Sequence, residues 1–144
     1  MKVSFRILNT NTDEELINYI VDFVVKEYSS EKKIAILAEQ SVAKIVDDKL
    51  WKDGEDVFIP HFCAINSTEY NKYPNVPVFI TDNMFLVLDH DLLINITNLP
   101  VNIAKKAPKE IIEVVDQEEN RLAVSRKKYV YYKQLGIQPT HEKG

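Results

Sequence analysis

Four short, almost wholly apolar runs punctuate this chain: Ile34 to Ala38, Val76 to Thr81, Leu92 to Thr97 and Glu110 to Val115. A strand that shows one face to water alternates apolar and polar residues. Runs that do not alternate suit strands covered on both faces, the condition of a parallel sheet sandwiched between helices. Segments of helical spacing lie between them. Thr12-Asp13-Glu14-Glu15 places a hydroxyl three residues before a carboxylate, the capping-box spacing, and Leu16, Ile17, Ile20, Phe23, Val24 and Tyr28 follow at helical intervals. Ser41 opens a second helix carrying Val42, Ile45, Val46 and Lys49 and reaching Leu50. A long amphipathic helix runs from Gln117 to Leu135, with Gly136 as its C-terminal stop. Lys2 to Leu8, with Val3, Phe5 and Ile7 on one face, reads as the first strand. The expected fold is α/β: one domain over residues 1–144, a sandwich with a mostly parallel central sheet flanked by helices, Rossmann-like in outline.

The rest of the chain is less patterned. Phe58-Ile59-Pro60-His61 reads as a brief extended piece, Ser67 to Pro74 as loop, and Phe85 to Leu88 as an additional short strand. Pro100 and Pro108 bracket a short helix or loop, Glu110 to Val115 is read as the last strand, and residues 137–144 as a loose C-terminal tail. Phe5, Ile36, Val78, Ile94, Val114 and Tyr132 are expected in the core.

A doubly wound sheet raises the question of nucleotides, because such sheets bind ligands beyond the carboxyl ends of their strands. The turn after the first strand is Asn9-Thr10-Asn11-Thr12, and the chain has only Gly54, Gly136 and Gly144. Neither a dinucleotide fingerprint nor a phosphate loop can be written with them, since both need several glycines for close approach of backbone to phosphate. His61, His90 and His141 lack metal-ligand spacing, and Asp89-His90-Asp91 is expected to be a solvated turn. Cys63 near His61 has no evident third group to orient a thiol and its base, and is expected as a small core residue. The reading is therefore of a non-enzyme with no cofactor. With no apolar run of 18 residues, no basic-then-apolar leader in Met1 to Leu8, and one cysteine, a cytoplasmic location is expected.

Net charge is −4, which argues against a broad polyanion-binding surface, yet the charge is uneven. Asp116, Glu118 and Glu119 precede a stretch with no acidic residue that holds Arg121, Arg126, Lys127, Lys128 and Lys133. Leu122, Arg126, Tyr129 and Lys133 fall at i, i+4, i+7 and i+11, one stripe of the last helix. Two cations, an aromatic ring and an aliphatic chain make poor core. On an acidic chain they suit a small acidic ligand rather than a long polyanion, with a carboxylate that Arg126 can grip as a fork.

Several segments together carry a family resemblance. Leu50-Trp51 with Phe58-Ile59-Pro60-His61, Pro77 to Thr81, Asp91 to Ile96, and Glu113 to Gln117 leading into Asn120-Arg121, Ser125 to Tyr129, Tyr132-Lys133 and Gly136 resemble, in order and spacing, the chi subunits of bacterial DNA polymerase III. Met1-Lys2-Val3 with Phe5 also fits that family's start. The resemblance covers nearly the whole chain. It implies an α/β sandwich without a nucleotide site, and two partners. One is the psi subunit, which tethers chi to the clamp loader. The other is the acidic C-terminal tail of single-stranded-DNA-binding protein, which ends in proline and phenylalanine with a free carboxylate. It also implies Trp51 and Phe58 as the slot for the phenyl ring. Arg121, Lys127 and Lys128 would then act at longer range on the association rate. The chain departs from the family where Leu122 and Val130 stand in place of further basic residues. Two other readings compete: a module that binds single-stranded nucleic acid directly through the basic helix and its tyrosines, and a small hydrolase or nucleotide-binding enzyme.

Overall fold

A computed structural model describes residues 1–28, 32–53, 59–65, 76–87, 89–102 and 107–144. Seven strands and three α-helices are present among them: β1 (Lys2–Ile7), α1 (Asp13–Tyr28), β2 (Ile34–Leu37), α2 (Gln40–Asp53), β3 (His61–Ala64), β4 (Val78–Thr81), β5 (Leu92–Asn95), β6 (Glu110–Val115), α3 (Glu119–Gln134) and β7 (Thr140–Lys143). The strands form one sheet in the order β3-β4-β2-β5-β6-β1-β7, and each neighbouring pair is parallel.

The four apolar runs become β2, β4, β5 and β6, each flanked by a strand on both sides, and every residue of β2, β4 and β5 is buried. Alternation along them feeds two cores. Ile34, Ile36, Val78, Ile80, Leu92, Ile94 and Ile112 pack against α1 and α2 through Ile17, Ile20, Val24, Ala43 and Val46. Val3, Phe5, Ala35, Phe79, Leu93, Ile111 and Val115 pack on the opposite face, against Tyr132, Leu122 and Tyr129 of α3. The α/β sandwich expected from the apolar runs is the observed fold, with α1 and α2 on one side and α3 on the other.

Local chemistry sets the helix ends. The Glu15 N–H donates to Thr12 Oγ1 at 3.2 Å, and the Thr12 hydroxyl donates to Glu15 Oε1 at 2.7 Å. The helix α3 begins at Glu119 rather than Gln117, because Glu118 is its cap and accepts from the N–H groups of Asn120 and Arg121. At its other end, Gly136 takes φ +82°. Its N–H donates to the Lys133 carbonyl at 3.0 Å and that of Ile137 to the Tyr132 carbonyl at 3.2 Å, the paired bonds that close a helix through a left-handed residue.

The structure corrects three expectations. Phe85 to Val87 is not a strand: Met84–Leu86 is a 3-10 turn, capped by Asn83, whose side chain accepts from the Phe85 N–H, and Leu88 lies outside the described residues. The apolar run there is too short to reach a neighbouring strand once the cap turns the chain. The strand Glu110–Val115 is not the last, and residues 137–144 are not a loose tail. Thr140 to Lys143 lie parallel to β1, with Phe5 opposite His141 and Ile7 opposite Lys143. Backbone bonding to the open edge of β1 holds this segment without an apolar pattern. Ser67 to Pro74 and Phe58 lie outside the described residues.

Candidate functional site

Two faces of α3 meet very different surroundings. Towards the sheet, Lys128 and Tyr132 are buried over β6. Further round the helix, Leu122, Ser125, Arg126, Tyr129 and Val130 look across to Phe5 and Ile7 of β1, Val115 of β6 and His141 of β7, enclosing an open groove of about 480 Å³. Its floor is apolar because Phe5 and Ile7 alternate on the α3 side of β1. Its aromatic wall is built from three rings. Phe5 meets Tyr129 edge-on at 5.9 Å between centroids, Phe5 stacks on His141 at 5.6 Å, and Tyr129 lies 5.3 Å from His141. Lys133 Nζ sits 6.0 Å from the centre of the Tyr129 ring and donates to Gln138 Oε1.

Arg126, at the mouth of the groove, is exposed and carries no hydrogen bond or ion pair among the described residues. A guanidinium without a partner, beside an apolar floor, keeps its full set of donors for an incoming carboxylate. The stripe of Leu122, Arg126 and Tyr129 is therefore assembled in one groove, with Lys133 over its tyrosine.

The other cations of the basic stretch divide. Lys127 is exposed. Arg121 is held by Asp116, through Nε at 2.9 Å and Nη2 at 2.8 Å, and by Asp13 through Nη1. The Asp116 hydrogen bonds, followed by Asp13, push its pKa further up. Lys128 is not a surface charge either. Its Nζ donates to Glu113 Oε1 at 2.9 Å and to the Thr97 carbonyl at 2.6 Å, and its side chain is 7% exposed. Glu113 also accepts from Tyr132 Oη at 2.6 Å and Asn95 Nδ2 at 2.8 Å. Burial raises the Glu113 carboxyl against the pull of Lys128, Tyr132 and Asn95, and burial with the Glu113 charge raises the Tyr132 phenol. Arg121 and Lys128 thus belong to the internal frame of α3 rather than to a field over the groove.

Trp51 is likewise misplaced as part of a ring slot for this groove. It stands on α2, 54% exposed, 4.2 Å from the ring of His61 in β3. The strand β3 is the outermost strand on the side of the sheet away from β1 and β7. The groove's apolar floor is instead supplied by Phe5, Ile7 and Val115, which sequence reading assigned to strands and core. Their alternation with the α3 stripe was the available signal. His141 had none, since its strand was read as tail.

The candidates for chemistry stay apart from the groove. His61 Nε2 lies 3.1 Å from Asp47 Oδ1, and its Nδ1 lies 2.8 Å from the Ile59 carbonyl. Burial, reinforced by Asp47, pushes the Cys63 thiol up to about 11, so little thiolate exists at neutral pH. Asp91 accepts from the Lys33 N–H and pairs with Lys109, while burial lowers the pKa of His90 against the pull of Asp89. Among the described residues no group of three or more His, Cys, Asp or Glu side chains could hold a metal ion. At the carboxyl ends of the strands, where parallel sheets receive nucleotides, a crevice is lined by Glu39, Asp82, Phe85 and Leu99. Carboxylates there repel phosphate.

The family described as DNA polymerase III chi subunit, HolC, matches residues 1–140. No curated protein matches. Among solved structures the chain is similar to the C-terminal domain of S. cerevisiae Dbp5, at TM-score 0.65 and 11% identity over 98% of this chain and 90% of that one. A second structure of the C-terminal domain of the DEAD-box protein Dbp5 gives TM-score 0.62 and 12% identity over 96% and 89%. At such identities the likeness is one of fold. No helix among the described residues is long and apolar enough to cross a membrane.

Proposed function

Because this chain belongs to the DNA polymerase III chi subunit family, we propose that it is a non-catalytic adaptor which grips the acidic C-terminal tail of single-stranded-DNA-binding protein in the groove beside α3. The psi subunit joins it, through a separate surface, to the clamp loader. The observation that carries the tail assignment is Arg126, exposed and without a partner among the described residues, at the mouth of a groove floored by Phe5, Ile7 and Val115. The tail's terminal phenyl ring enters the apolar floor and its carboxylate meets the guanidinium. Lys133 and Lys127 attract the acidic residues upstream, a contribution that salt weakens.

A short peptide with one ring anchor binds at a micromolar Kd, about −8 kcal/mol. The test is a titration with a peptide of that chemistry, as free acid and as C-terminal amide. The free acid binds more tightly, and Arg126→Ala costs it about 1.5–3 kcal/mol, as loss of a charged hydrogen bond does. Equal binding of acid and amide, or an Arg126→Ala protein with unchanged affinity, would remove the tail assignment. Direct binding of single-stranded nucleic acid is less well supported, because Arg121 and Lys128, two cations of the basic stretch, are already paired with carboxylates. A gel shift with labelled single-stranded DNA and no partner protein separates the two readings.

A further inference from the structure

We propose that β7 forms the second wall of this groove, with His141 packing on the ligand's terminal ring and Lys143 meeting the acidic residues ahead of it. This rests on the tail-binding reading. The register places His141 beside Phe5 and Lys143 beside Ile7. Side chains of paired residues in a parallel ladder share a face, so His141 and Lys143 share that of the two floor residues and look towards α3. Glu142, between them, points the other way, where it is neutralised by Arg6 at 2.9 Å, and Arg6 itself lies over the Phe23 ring of α1. The one carboxylate of the strand is thus turned to the opposite face and paired. On the face shared with Phe5 and Ile7, β7 carries an aromatic ring that lines the groove and, two residues on, a cation.

The wall is anchored. The Gly144 N–H donates to the Ile7 carbonyl at 2.9 Å, and His141 is stacked on Phe5 and tilted against Tyr129. Lys143 is exposed and carries no ion pair among the described residues, and its register beside Ile7 sets it on the groove's side of the sheet as a second available cation. The charge of the two walls is complementary to an acidic peptide and to no basic one. The chain lacks cations at Leu122 and Val130, and Lys143 supplies one from the other side.

The test measures binding of a fluorescein-labelled acidic peptide ending in proline, phenylalanine and a free carboxylate, with folding of each variant checked by circular dichroism. His141→Ala weakens binding about 2- to 10-fold, the range of an aromatic pair, and His141→Phe, which keeps the ring, stays within about twofold of wild type. Lys143→Glu weakens binding about 3- to 10-fold at low ionic strength, and the deficit shrinks in high salt. Lys52→Glu makes the same change of net charge on α2 and leaves binding as it was. Wild-type affinity in His141→Ala or in Lys143→Glu overturns that residue's part in the wall. If both bind like wild type while Arg126→Ala does not, the wall is wrong and the tail-binding reading stands. A wild-type protein that does not bind the peptide overturns both. Should His141→Ala fail to fold, His141→Phe and Lys143→Glu decide.

Discussion

Arg126 and Lys128 sit two positions apart on one helix, yet one is exposed, with no partner among the described residues, and the other is almost sealed from water. A hundred-degree step per residue is enough to divide them between groove and core. The sequence treats both as members of a basic stretch, because a lysine is solvated unless something buried demands it. That demand was present in the Glu110–Val115 run, where Glu113 interrupts isoleucine and valine on a strand covered from both sides. A buried carboxylate needs donors, and Lys128, Tyr132 and Asn95 supply them. Lys128→Ala leaves that charge unpaired and lowers stability by about 3–5 kcal/mol, read as a shift of the urea midpoint. The double replacement Lys128→Met with Glu113→Leu removes both charges and recovers most of the loss. A single variant that falls by less than about 1 kcal/mol would show that water or a rearranged side chain satisfies Glu113.

Elements buried on both faces were legible, and those defined by an edge were not. Strands β2, β4, β5 and β6 announce themselves because neither face can carry a polar residue cheaply. Strand β7 reads Thr-His-Glu-Lys, is exposed at every position and among the described residues pairs only with β1, so its existence depends on backbone bonds that leave no trace in composition. What makes the strand reachable is the end of α3. Gly136 at φ +82° turns the chain, and a Cβ added there would meet nothing within 4 Å. The cost of Gly136→Ala is therefore purely conformational, about 1–2 kcal/mol for a left-handed residue with a side chain. Thermal unfolding should register that loss while peptide affinity changes by less than about twofold, since 1 kcal/mol of stability does not unfold a domain of ordinary stability. A large loss of affinity in Gly136→Ala would mean that the turn also sets the position of β7.

At the scale of the whole molecule the sheet order separates two surfaces that the family resemblance alone had merged. From β3 to β1 there are five steps in the order, and at about 4.8 Å per step the two strands lie roughly 24 Å apart. Trp51 belongs to α2, whose buried residues pack on the sheet face opposite α3, so the indole is separated from the groove by both width and thickness. The similarity of Leu50-Trp51 to the family located a shared surface residue without saying which surface it serves. A bound tail peptide, a few residues long and anchored at Arg126, cannot cross the sheet to reach it. Saturating the protein with that peptide should leave the emission of Trp51 unchanged in intensity and wavelength, and Trp51→Ala should keep the wild-type Kd within about twofold, because additivity holds for sites this far apart. Quenching of the indole on saturation would require either that the ligand contacts α2 or that binding repacks the sheet between them. Hydrogen exchange of β2 and β5 amides, the strands midway between the two sites, distinguishes those cases: only repacking changes their protection.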